Sequence, residues 1–348
     1  MVIRILGSAA GGGFPQWNCA CAHCRGLREG SIRAIPRTQE SVGLSTDDGD
    51  WFLINASPDI RSQIESFGPL HPGKSRTTPI QAIFLTNGDL DHCLGLLSLR
   101  ENHRLVVYAT ESVRRGFTEG NVLYRTLQRF AGQVTWRTIT LDVEETVLCA
   151  DGRPSGMSVK AFAVPGKPPI HLEGLVSPRD PELNVGLRFR QFSNGRVLAY
   201  LSAVGSITTS VFEGLADADC VMFDGTFWSS DELSAPGFLG KSAEDLAHWP
   251  VGGPRGSLAM LSTLTAPRRV FTHINNTNPM LREDSPERNI VEAAGWSVAW
   301  DGMEIGLCRT IDIEVHCQKT PSWNGSRVKV PPATMTIILS TSSCTRGI

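Results

Sequence analysis

Residues 86–92 read TNGDLDH and gather Asn87, Asp89, Asp91 and His92 directly after the apolar run AIFLT. Because AIFLT is typical of a buried strand, these side chains are predicted to lie at the carboxyl end of a strand, where α/β proteins build their sites. Carboxylate oxygens and an imidazole nitrogen suit a divalent transition metal, and the carboxylates favour iron, manganese or magnesium. Taken alone, the stretch fits an Asp-rich helix N-cap with a surface histidine equally well.

Two later stretches favour the metal interpretation. VMFDGTF places Asp224 at the end of a second apolar strand, and VFTHINNTNP places His273 at the end of a third. A lone aspartate or histidine after a strand is usually structural, but three strand ends that each carry a ligand type can converge on one pocket. The sequence therefore predicts a metal site built from these three ends.

A second candidate metal site is the cysteine cluster Cys19, Cys21 and Cys24, which has the spacing C-x-C-x-x-C. Three thiolates this close can hold zinc tetrahedrally, with a fourth ligand from far along the chain. The alternatives are three free thiols or a redox pair. His23 is not expected to be the fourth ligand, because a tight turn points it away from the cysteines.

The amino-acid composition limits the classes of function that the chain can have. The chain has 348 residues, 41% hydrophobic and 20% charged, with a formal net charge of -2, so there is no general electrostatic reason to bind nucleic acid or anionic membranes. Nine cysteines cannot all pair internally, and their clustering favours metal binding in a reducing compartment. No apolar run is long enough for a membrane span, and Arg4 interrupts the one stretch that resembles a signal peptide. We expect a cytoplasmic protein.

Two glycine-rich stretches resemble phosphate-binding loops. Residues 68–75, GPLHPGKS, match the letters of a phosphate loop, but the prolines and the TTP at 77–79 prevent the helix that such a site needs. Residues 9–18, AAGGGFPQWN, are also followed by no immediate helix, so their glycines are expected to permit close backbone approach. We interpret neither as a nucleotide site.

The pattern of short β-rich runs predicts the architecture. Five runs (VIRIL, SVGLS, WFLIN, AIFLT and RLVVYA) precede residue 110, and five more (VKAFAV, VGLRFR, RVLAYL, CVMFDG and RRVFTHI) follow residue 158. Helical stretches are expected at 59–67, 92–101, 241–247 and 286–294. Two β-rich halves with helices outside predict an α/β (α+β) fold, a four-layer αββα sandwich over residues 1–307. Residues 308–348 form a Ser/Thr-rich extension, expected to be poorly ordered or else an extra strand pair.

These motifs resemble the metallo-β-lactamase superfamily, and within it the pyrroloquinoline quinone (PQQ) biosynthesis B family. The resemblance rests on GSAAGGGFPQWNCACAHCR near the start, INASPDIR at 54–61, TNGDLDH, FDGTF and THINNTNPML at 272–281. It extends over about residues 1–307 and implies the superfamily's four-layer fold. The extension after Leu307 is not part of that family pattern.

The resemblance also implies a ligand set. Most of the superfamily carries HxHxDH where this chain has Asn87, Asp89, Asp91 and His92, and its bridging aspartate and late histidine match Asp224 and His273. No clear counterpart of a further histidine occurs near AVPGKPP. Two metals need two ligand sets. Asn87 and Asp89 replace the first two histidines of the superfamily motif, which weakens one ligand set. The other ligand set remains and is formed by Asp91, His92, Asp224 and His273.

The resemblance assigns roles to further residues. Asp89 is expected to join the surviving ligand set or to accept a proton beside it, which makes five candidate catalytic residues. In relatives with a cysteine cluster, the fourth zinc ligand follows the late histidine by a few positions. Here that place holds Asn275 or Asn276, of which Asn276 is preferred, although an amide oxygen is a weak zinc ligand.

Non-haem iron enzymes bind oxygen at a single metal ion that has a mixed histidine and carboxylate shell and open coordination positions. The resemblance implies an Fe²⁺- and O₂-dependent hydroxylase in PQQ biosynthesis, acting on the tyrosine ring of a cross-linked Glu–Tyr unit cut from a precursor peptide, alongside other proteins of that pathway. The alternatives are a non-enzymatic carrier that aids transport of PQQ or its precursor to the periplasm, and a metal-dependent phosphodiester hydrolase. The sequence leaves the oligomeric state and the electron source open.

Overall fold

Two mixed β-sheets of seven strands each form the centre of the protein. The computed structural model describes residues 1–46, 49–234 and 240–307, and the predicted extension at 308–348 lies outside the described residues. The strand order is β14-β1-β2-β3-β4-β5-β6 in the first sheet and β13-β12-β11-β10-β9-β8-β7 in the second. The strands are β1 Val2–Gly7, β2 Ser41–Ser45, β3 Trp51–Ile54, β4 Ile80–Phe84, β5 Leu105–Ala109, β6 Val134–Thr138, β7 Glu144–Leu148, β8 Pro154–Ala163, β9 Val185–Gln191, β10 Val197–Leu201, β11 Cys220–Asp224, β12 Arg268–Thr272, β13 Ser297–Val298 and β14 Glu304–Gly306.

Helices cover the outer faces of the two sheets. The α-helices of the described residues are α1 Ala22–Glu29, α2 Ile60–Glu65, α3 Leu90–Cys93, α4 Glu111–Thr118, α5 Thr209–Leu215, α6 Ser257–Met260 and α7 Pro286–Ala293. Short 3₁₀ helices occur at Gly68–Leu70, Leu94–Leu99, Val122–Gln128, Ile170–Leu172, Glu244–Leu246 and Pro279–Leu281. No helix among the described residues combines the length and the apolar character that a membrane crossing requires.

The core lies in three apolar layers. The central layer joins the two sheets, and a ring contact between Phe84 of the first sheet and Phe189 of the second has its centroids 4.9 Å apart. Burying one such ring stabilises the fold by about 1.5–3 kcal/mol. The two outer layers pack the other faces of the sheets against helices, which gives the predicted four-layer αββα sandwich. Because both faces of each sheet are covered, strands such as β3 are buried along their whole length.

The parallel strand pairs position the site. In the first sheet β3, β4, β5 and β6 run parallel, and in the second β10, β11, β12 and β13 do so. The carboxyl ends of neighbouring parallel strands lie at one edge of a sheet. The segments that follow β4, β11 and β12 therefore start where the two sheets meet.

The structure differs from the sequence prediction in its helices near the sites. The helix predicted at 241–247 is reduced to the 3₁₀ helix Glu244–Leu246, which ends at the left-handed residue Ala247. The helix predicted at 92–101 is interrupted, since α3 ends at Cys93 and a 3₁₀ helix continues from Leu94. The carbonyl of His92 accepts a hydrogen bond from Ala56 N at 2.7 Å, and Gly95 N donates to Ala56 O at 2.9 Å. These bonds replace the regular helical ones. The third difference is α1, which begins within the cysteine cluster where only a loop was expected.

Candidate metal centre

The three predicted strand ends meet at the junction between the sheets. Asp89, Asp91 and His92 follow β4 of the first sheet, whereas Asp224 ends β11 and His273 follows β12 of the second. Apart from Asp89 and Asp91, which are partly exposed, these residues are buried. The convergence that the sequence predicts is therefore present in the structure.

The first donor group consists of Asp91, His92 and His273, whose ligand atoms all lie within 4.8 Å of one another. His273 Nε2 is 3.2 Å from Asp91 Oδ2, and His92 Nε2 is 3.8 Å from the same oxygen. The two histidine rings meet edge to face, with centroids 5.0 Å apart. Two imidazoles and one carboxylate in this proximity can surround one divalent metal ion.

His92 is oriented by its neighbours. Its Nδ1 lies 3.3 Å from the hydroxyl of Thr86, which also lies 3.1 Å from Asn55 Oδ1. Its Nε2 is buried and has no hydrogen-bond partner in the part of the chain that the structure describes. Buried polar atoms in native proteins nearly always have a partner, and a ligating histidine fixes its other ring nitrogen with a hydrogen bond. The orphaned Nε2 therefore fits a metal ligand.

The second donor group contains Asp224, His248 and His273, so His273 is common to both groups. His248 Nδ1 is 2.7 Å from Asp224 Oδ2, which also accepts a hydrogen bond from Val204 N at 2.8 Å. Asp224 Oδ1 accepts the Thr226 hydroxyl at 2.6 Å. Asp224 is thus held rigidly, with its carboxylate directed at His248.

His248 was missed by the sequence analysis. It follows the 3₁₀ helix Glu244–Leu246 and the left-handed residue Ala247, and no strand leads to it. The strand-end pattern that identified Asp224 and His273 therefore does not apply to His248. One signal was available, since His248 is the only histidine between those two residues in the chain.

Burial and neighbouring charges set the ionisation of the site. Burial opposes ionisation of Asp91, but its contacts with His92 and His273 hold the pKa of that carboxyl well below its usual range. Burial also opposes protonation of His273 and is the largest single effect, but the hydrogen bond and charge of Asp91, together with the charges of Asp224 and Glu40, outweigh it and raise the pKa of His273 to about 9. Burial lowers the pKa of His92 to about 4. Burial, with the charge of Asp91, raises the pKa of Asp89 to about 6.

A cavity of about 200 Å³ opens onto both donor groups. Asp89 and Asn87 both line it, and Asn87 also has a structural role, because its Oδ1 accepts a hydrogen bond from Asp89 N at 3.0 Å and its Nδ2 donates to Asn184 at 3.3 Å. The other lining residues are Ala10, Gly11, Asp91, His92, Gly166, Lys167, Asn184, Ala203, Thr226, Phe227, Leu246, Ala247, His248, His273 and Asn275.

A buried carboxyl lies behind the first donor group and was also missed. Glu40 is fully buried, its Oε2 is 3.9 Å from His92 Nε2, and it accepts hydrogen bonds from Asn55 and the Tyr200 hydroxyl. Burial raises the pKa of Glu40 to about 7. In the sequence Glu40 stands at the edge of a strand with no distinguishing motif, so no local signal identifies it.

The cysteine cluster forms a separate site. The sulfurs of Cys19, Cys21 and Cys24 lie within 4.8 Å of one another, with Cys21 as the N-cap of α1 and Cys24 buried inside the helix. The amide Nδ2 of Asn276 faces all three, at 3.2 Å from Cys19, 3.7 Å from Cys21 and 3.4 Å from Cys24. Amide nitrogen and oxygen are assigned from such contacts, so a rotation of the amide would present the oxygen to a metal.

Asn275, the other candidate for the fourth zinc ligand, lines the metal cavity instead and donates to Thr277 at 2.6 Å. Burial raises the pKa of the Cys24 thiol to about 12, so three thiolates at this point require a compensating cation. The donor set of three sulfurs with one buried amide fits a closed zinc site.

Comparison with known proteins identifies relatives along most of the chain. Residues 50–274 match the model of the beta-lactamase superfamily domain. The chain is 44% identical over 311 residues to the coenzyme PQQ synthesis protein B of Methylococcus capsulatus, a match that covers 88% of this chain and 100% of that protein. It is also 44% identical over 307 residues to the protein of the same name from Cupriavidus necator, with 88% and 99% covered.

Solved structures give the same result. The Zn²⁺-bound PqqB of Methylobacterium extorquens superimposes with a TM-score of 0.80 at 41% identity, covering 88% of this chain and 100% of that one. A diphosphatase from the PhnP family superimposes with a TM-score of 0.59 at 23% identity over 88% of this chain and 97% of that one, which reflects the shared fold.

Proposed function

This chain belongs to the coenzyme PQQ synthesis protein B family of the beta-lactamase superfamily, which acts in PQQ synthesis, and on that basis we propose that it is a non-haem iron oxygenase. The reaction proposed is hydroxylation of the tyrosine ring of a small Glu–Tyr unit derived from a precursor peptide, in which one atom of O₂ enters the ring and the other leaves as water with two electrons and two protons taken up from an external reductant and solvent. The substrate would reach this chain from the other proteins of the pathway.

The observation that carries the proposal is the composition of the first donor group. Asp91, His92 and His273 are two histidines and one carboxylate within 4.8 Å of one another, next to an open cavity. That combination with free coordination positions is typical of oxygen-activating iron sites. Asp224, which the sequence predicts as a fourth ligand of the same ion, belongs with His248 to the second donor group, and both groups contain His273.

Individual residues of this chain would have separate roles in such a reaction. When bound, Fe²⁺ supplies the activation of O₂. Thr86 holds the ring of His92, and the Thr226 hydroxyl, 2.8 Å from Nδ1 of His273, orients that ring. Asp89 faces the cavity with its pKa raised to about 6, so its carboxyl can hold or release a proton near neutral pH beside the substrate.

We also propose that the cysteine cluster holds a structural zinc ion. Cys19, Cys21 and Cys24 would supply three thiolates and Asn276 an amide oxygen, which closes the site to solvent and substrate. The support is the position of Asn276, which is buried and faces all three sulfurs. Because no coordination position is left open, this ion would stabilise the fold and take no part in the reaction.

The deciding experiment incubates the iron-loaded full chain with the Glu–Tyr substrate and an added chemical reductant, in air and without oxygen, and measures the product by mass spectrometry. We expect a gain of oxygen atoms only in air. His92→Ala should abolish the reaction while the protein stays folded, because the ligand is lost from a pocket that is not the core. The matched control is His71→Ala, which changes an exposed histidine outside the cavity and should leave activity unchanged. Full activity in the zinc-loaded form or in His92→Ala would exclude an iron oxygenase built on these residues.

A second candidate function, metal-dependent hydrolysis, is favoured by one observation. The two donor groups share His273, an arrangement that could hold two metal ions side by side as two-metal hydrolases do. Zinc- or manganese-loaded protein should then cleave a generic phosphodiester, and His248→Ala should abolish the cleavage. A hydrolytic rate no greater than that of the His248→Ala variant would rule this candidate out.

A further inference from the structure

One lysine lines the cavity beside the metal ligands, among the residues that the structure describes. Lys167 is the only lysine or arginine among the described residues that line the cavity, whose other charged or titratable lining groups are aspartates and histidines. Lys167 is partly buried and lines the same cavity as Asp89 and the metal ligands Asp91, His92 and His273.

The loop that carries Lys167 is rigid. It reads Val-Pro-Gly-Lys-Pro-Pro over residues 164–169, and a residue that precedes proline, as Lys167 does, is restricted to extended backbone conformations. A side chain at Gly166 would collide with Asn184, with a Cβ only 2.7 Å from the nearest atom. On the other side of Lys167, Pro169 packs 3.1 Å from the Cβ position of Gly88. The loop is thus fixed against the segments that bear Asn184 and the metal ligands.

The ammonium of Lys167 has no direct partner within the protein. Among the residues that the structure describes, Lys167 forms no hydrogen bond or ion pair. A cation that lines a cavity and has no ion-pair partner of its own can pair with an anionic group of a bound ligand. Asp91 and Asp224 together balance the charge of one divalent metal ion, so once a metal is held they do not serve as counter-charge for Lys167.

We propose that Lys167 binds a carboxylate group of the substrate and so fixes the orientation of the ring at the metal. The ligand class that this subsite takes is an aromatic molecule with an acidic side arm. The inference rests on the proposed function, since the Glu–Tyr unit supplies both a phenol ring and carboxylates. Beyond the proposed function, the inference states that the site selects its substrate by charge. Lys167 acts here as a substrate-binding residue that is not a metal ligand.

Calorimetric binding to the zinc-loaded full chain tests the inference without turnover. The probes are L-tyrosine and L-tyrosinamide, which have the same ring and differ in carboxylate against neutral amide. We expect wild-type protein to bind tyrosine at least tenfold more tightly, because a charge-assisted hydrogen bond contributes more than about 1.4 kcal/mol. Lys167→Met should remove the preference, Lys167→Arg should keep most of it, and Lys74→Met, at an exposed lysine outside the cavity, should leave it unchanged.

The outcomes are separable from those of the oxygenase test. Equal affinity for the two probes in wild type, no binding of either, or an unchanged preference in Lys167→Met would overturn the inference. If Lys167→Met does not fold, Lys167→Gln replaces it with the same expectation. A preference for tyrosine without oxygen consumption by the iron-loaded protein would retain the carboxylate subsite and overturn the oxygenase, and oxygen consumption without the preference would do the reverse.

Discussion

His273 is the residue on which the two donor groups depend. It has a left-handed backbone conformation, with φ of 57°, which is uncommon for a side chain of this size. The neighbouring backbone holds it there, because Ile274 N donates to Ser8 O at 2.9 Å and Gly225 N donates to Thr272 O at 2.8 Å. Sparsely populated conformations concentrate at functional sites. Here the conformation lets one ring face both Asp91 and Thr226.

Metal uptake should release a proton from His273. Its pKa is raised to about 9 in the metal-free protein, so the ring is protonated at pH 7.5, whereas a metal ligand must be neutral. His92, with a pKa lowered to about 4, is already neutral, and the low pKa of Asp91 keeps it ionised. We expect release of about one proton per ion at pH 7.5, with affinity that increases with pH up to about 9. Titration calorimetry in buffers of different ionisation enthalpy measures this, and a heat independent of the buffer would contradict it.

At the scale of residues, the sequence predicts the site residues that follow strands and does not predict those that lie on loops. Asp91, His92, Asp224 and His273 were predicted because each lies beside an apolar run whose end must reach the sheet edge. His248 and Lys167 reach the cavity from loops, and their positions depend on contacts such as those of Asn184, which lie far away in sequence. Loop conformations of this kind have no periodic signal in the chain.

At the scale of elements, helix α1 and the cysteine cluster stabilise each other. Cys21 caps the helix by accepting from Cys24 N at 3.4 Å, and Asn276 reaches the cluster from the segment after β12. The sequence predicted the cluster and its distant fourth partner but not the helix, because C-x-C-x-x-C is also compatible with a loop. The helix forms here because the cap and the apolar contacts of Cys24 favour it.

Cys21→Ser should lower both the zinc content and the stability of the protein. It removes a thiolate from a closed site, whose binding energy contributes directly to folding. The metal at the first donor group should remain, because that group shares no ligand with the cluster. Metal analysis and thermal unfolding of the purified variant measure both effects. As a control, Cys220→Ala alters a buried cysteine of β11 outside the cluster and should leave the zinc content unchanged. Unchanged zinc in Cys21→Ser would remove the structural interpretation.

At the scale of the whole molecule, the metal centre joins the two sheets. Asp91 and His92 lie in α3 directly after β4 of the first sheet, whereas Asp224 ends β11 and His273 follows β12 of the second. An ion held between them therefore links two layers that otherwise meet through the apolar core. The sequence predicted the four layers from the two sets of strands. It could not predict their order in each sheet, because strand pairing depends on contacts distant in the chain.

Removal of the metal should lower the melting temperature. An ion that binds only the folded state stabilises it by about 2.7 kcal/mol when its free concentration is about one hundred times Kd. We therefore expect a chelator to lower the melting temperature of wild-type protein by several degrees. The shift should be smaller in His92→Ala, which has lost one ligand from the junction. Calorimetric scans with and without chelator decide this, and an equal shift in both proteins would assign the stabilisation to the cysteine site alone.

Truncation after Leu307 should leave the fold and the chemistry intact. Residues 308–348 lie outside the described residues, so their expected dispensability remains a prediction from the sequence. Both donor groups and the cysteine cluster lie before Leu307, as do all fourteen strands of the described sheets. The truncated chain should keep the melting temperature, metal content and turnover of the full chain. A truncated protein that folds and binds metal but has lost turnover would show that the extension takes part in the reaction.

The pairing of β1 with β14 brings residue 1 and residue 307 together. Val2 pairs with Gly306, and Leu307 N donates to Met1 O at 2.8 Å. A short peptide could therefore close residues 1–307 into a ring. The strands of the described residues pass from one sheet to the other only between β6 and β7 and between β13 and β14. New termini at the exposed turn near Asp142, between β6 and β7, would therefore give a circular permutant in which the strands of each sheet are consecutive along the chain. The junction between its two halves would then contain the metal ligands, so that reassembly of separately expressed halves could be followed by metal binding.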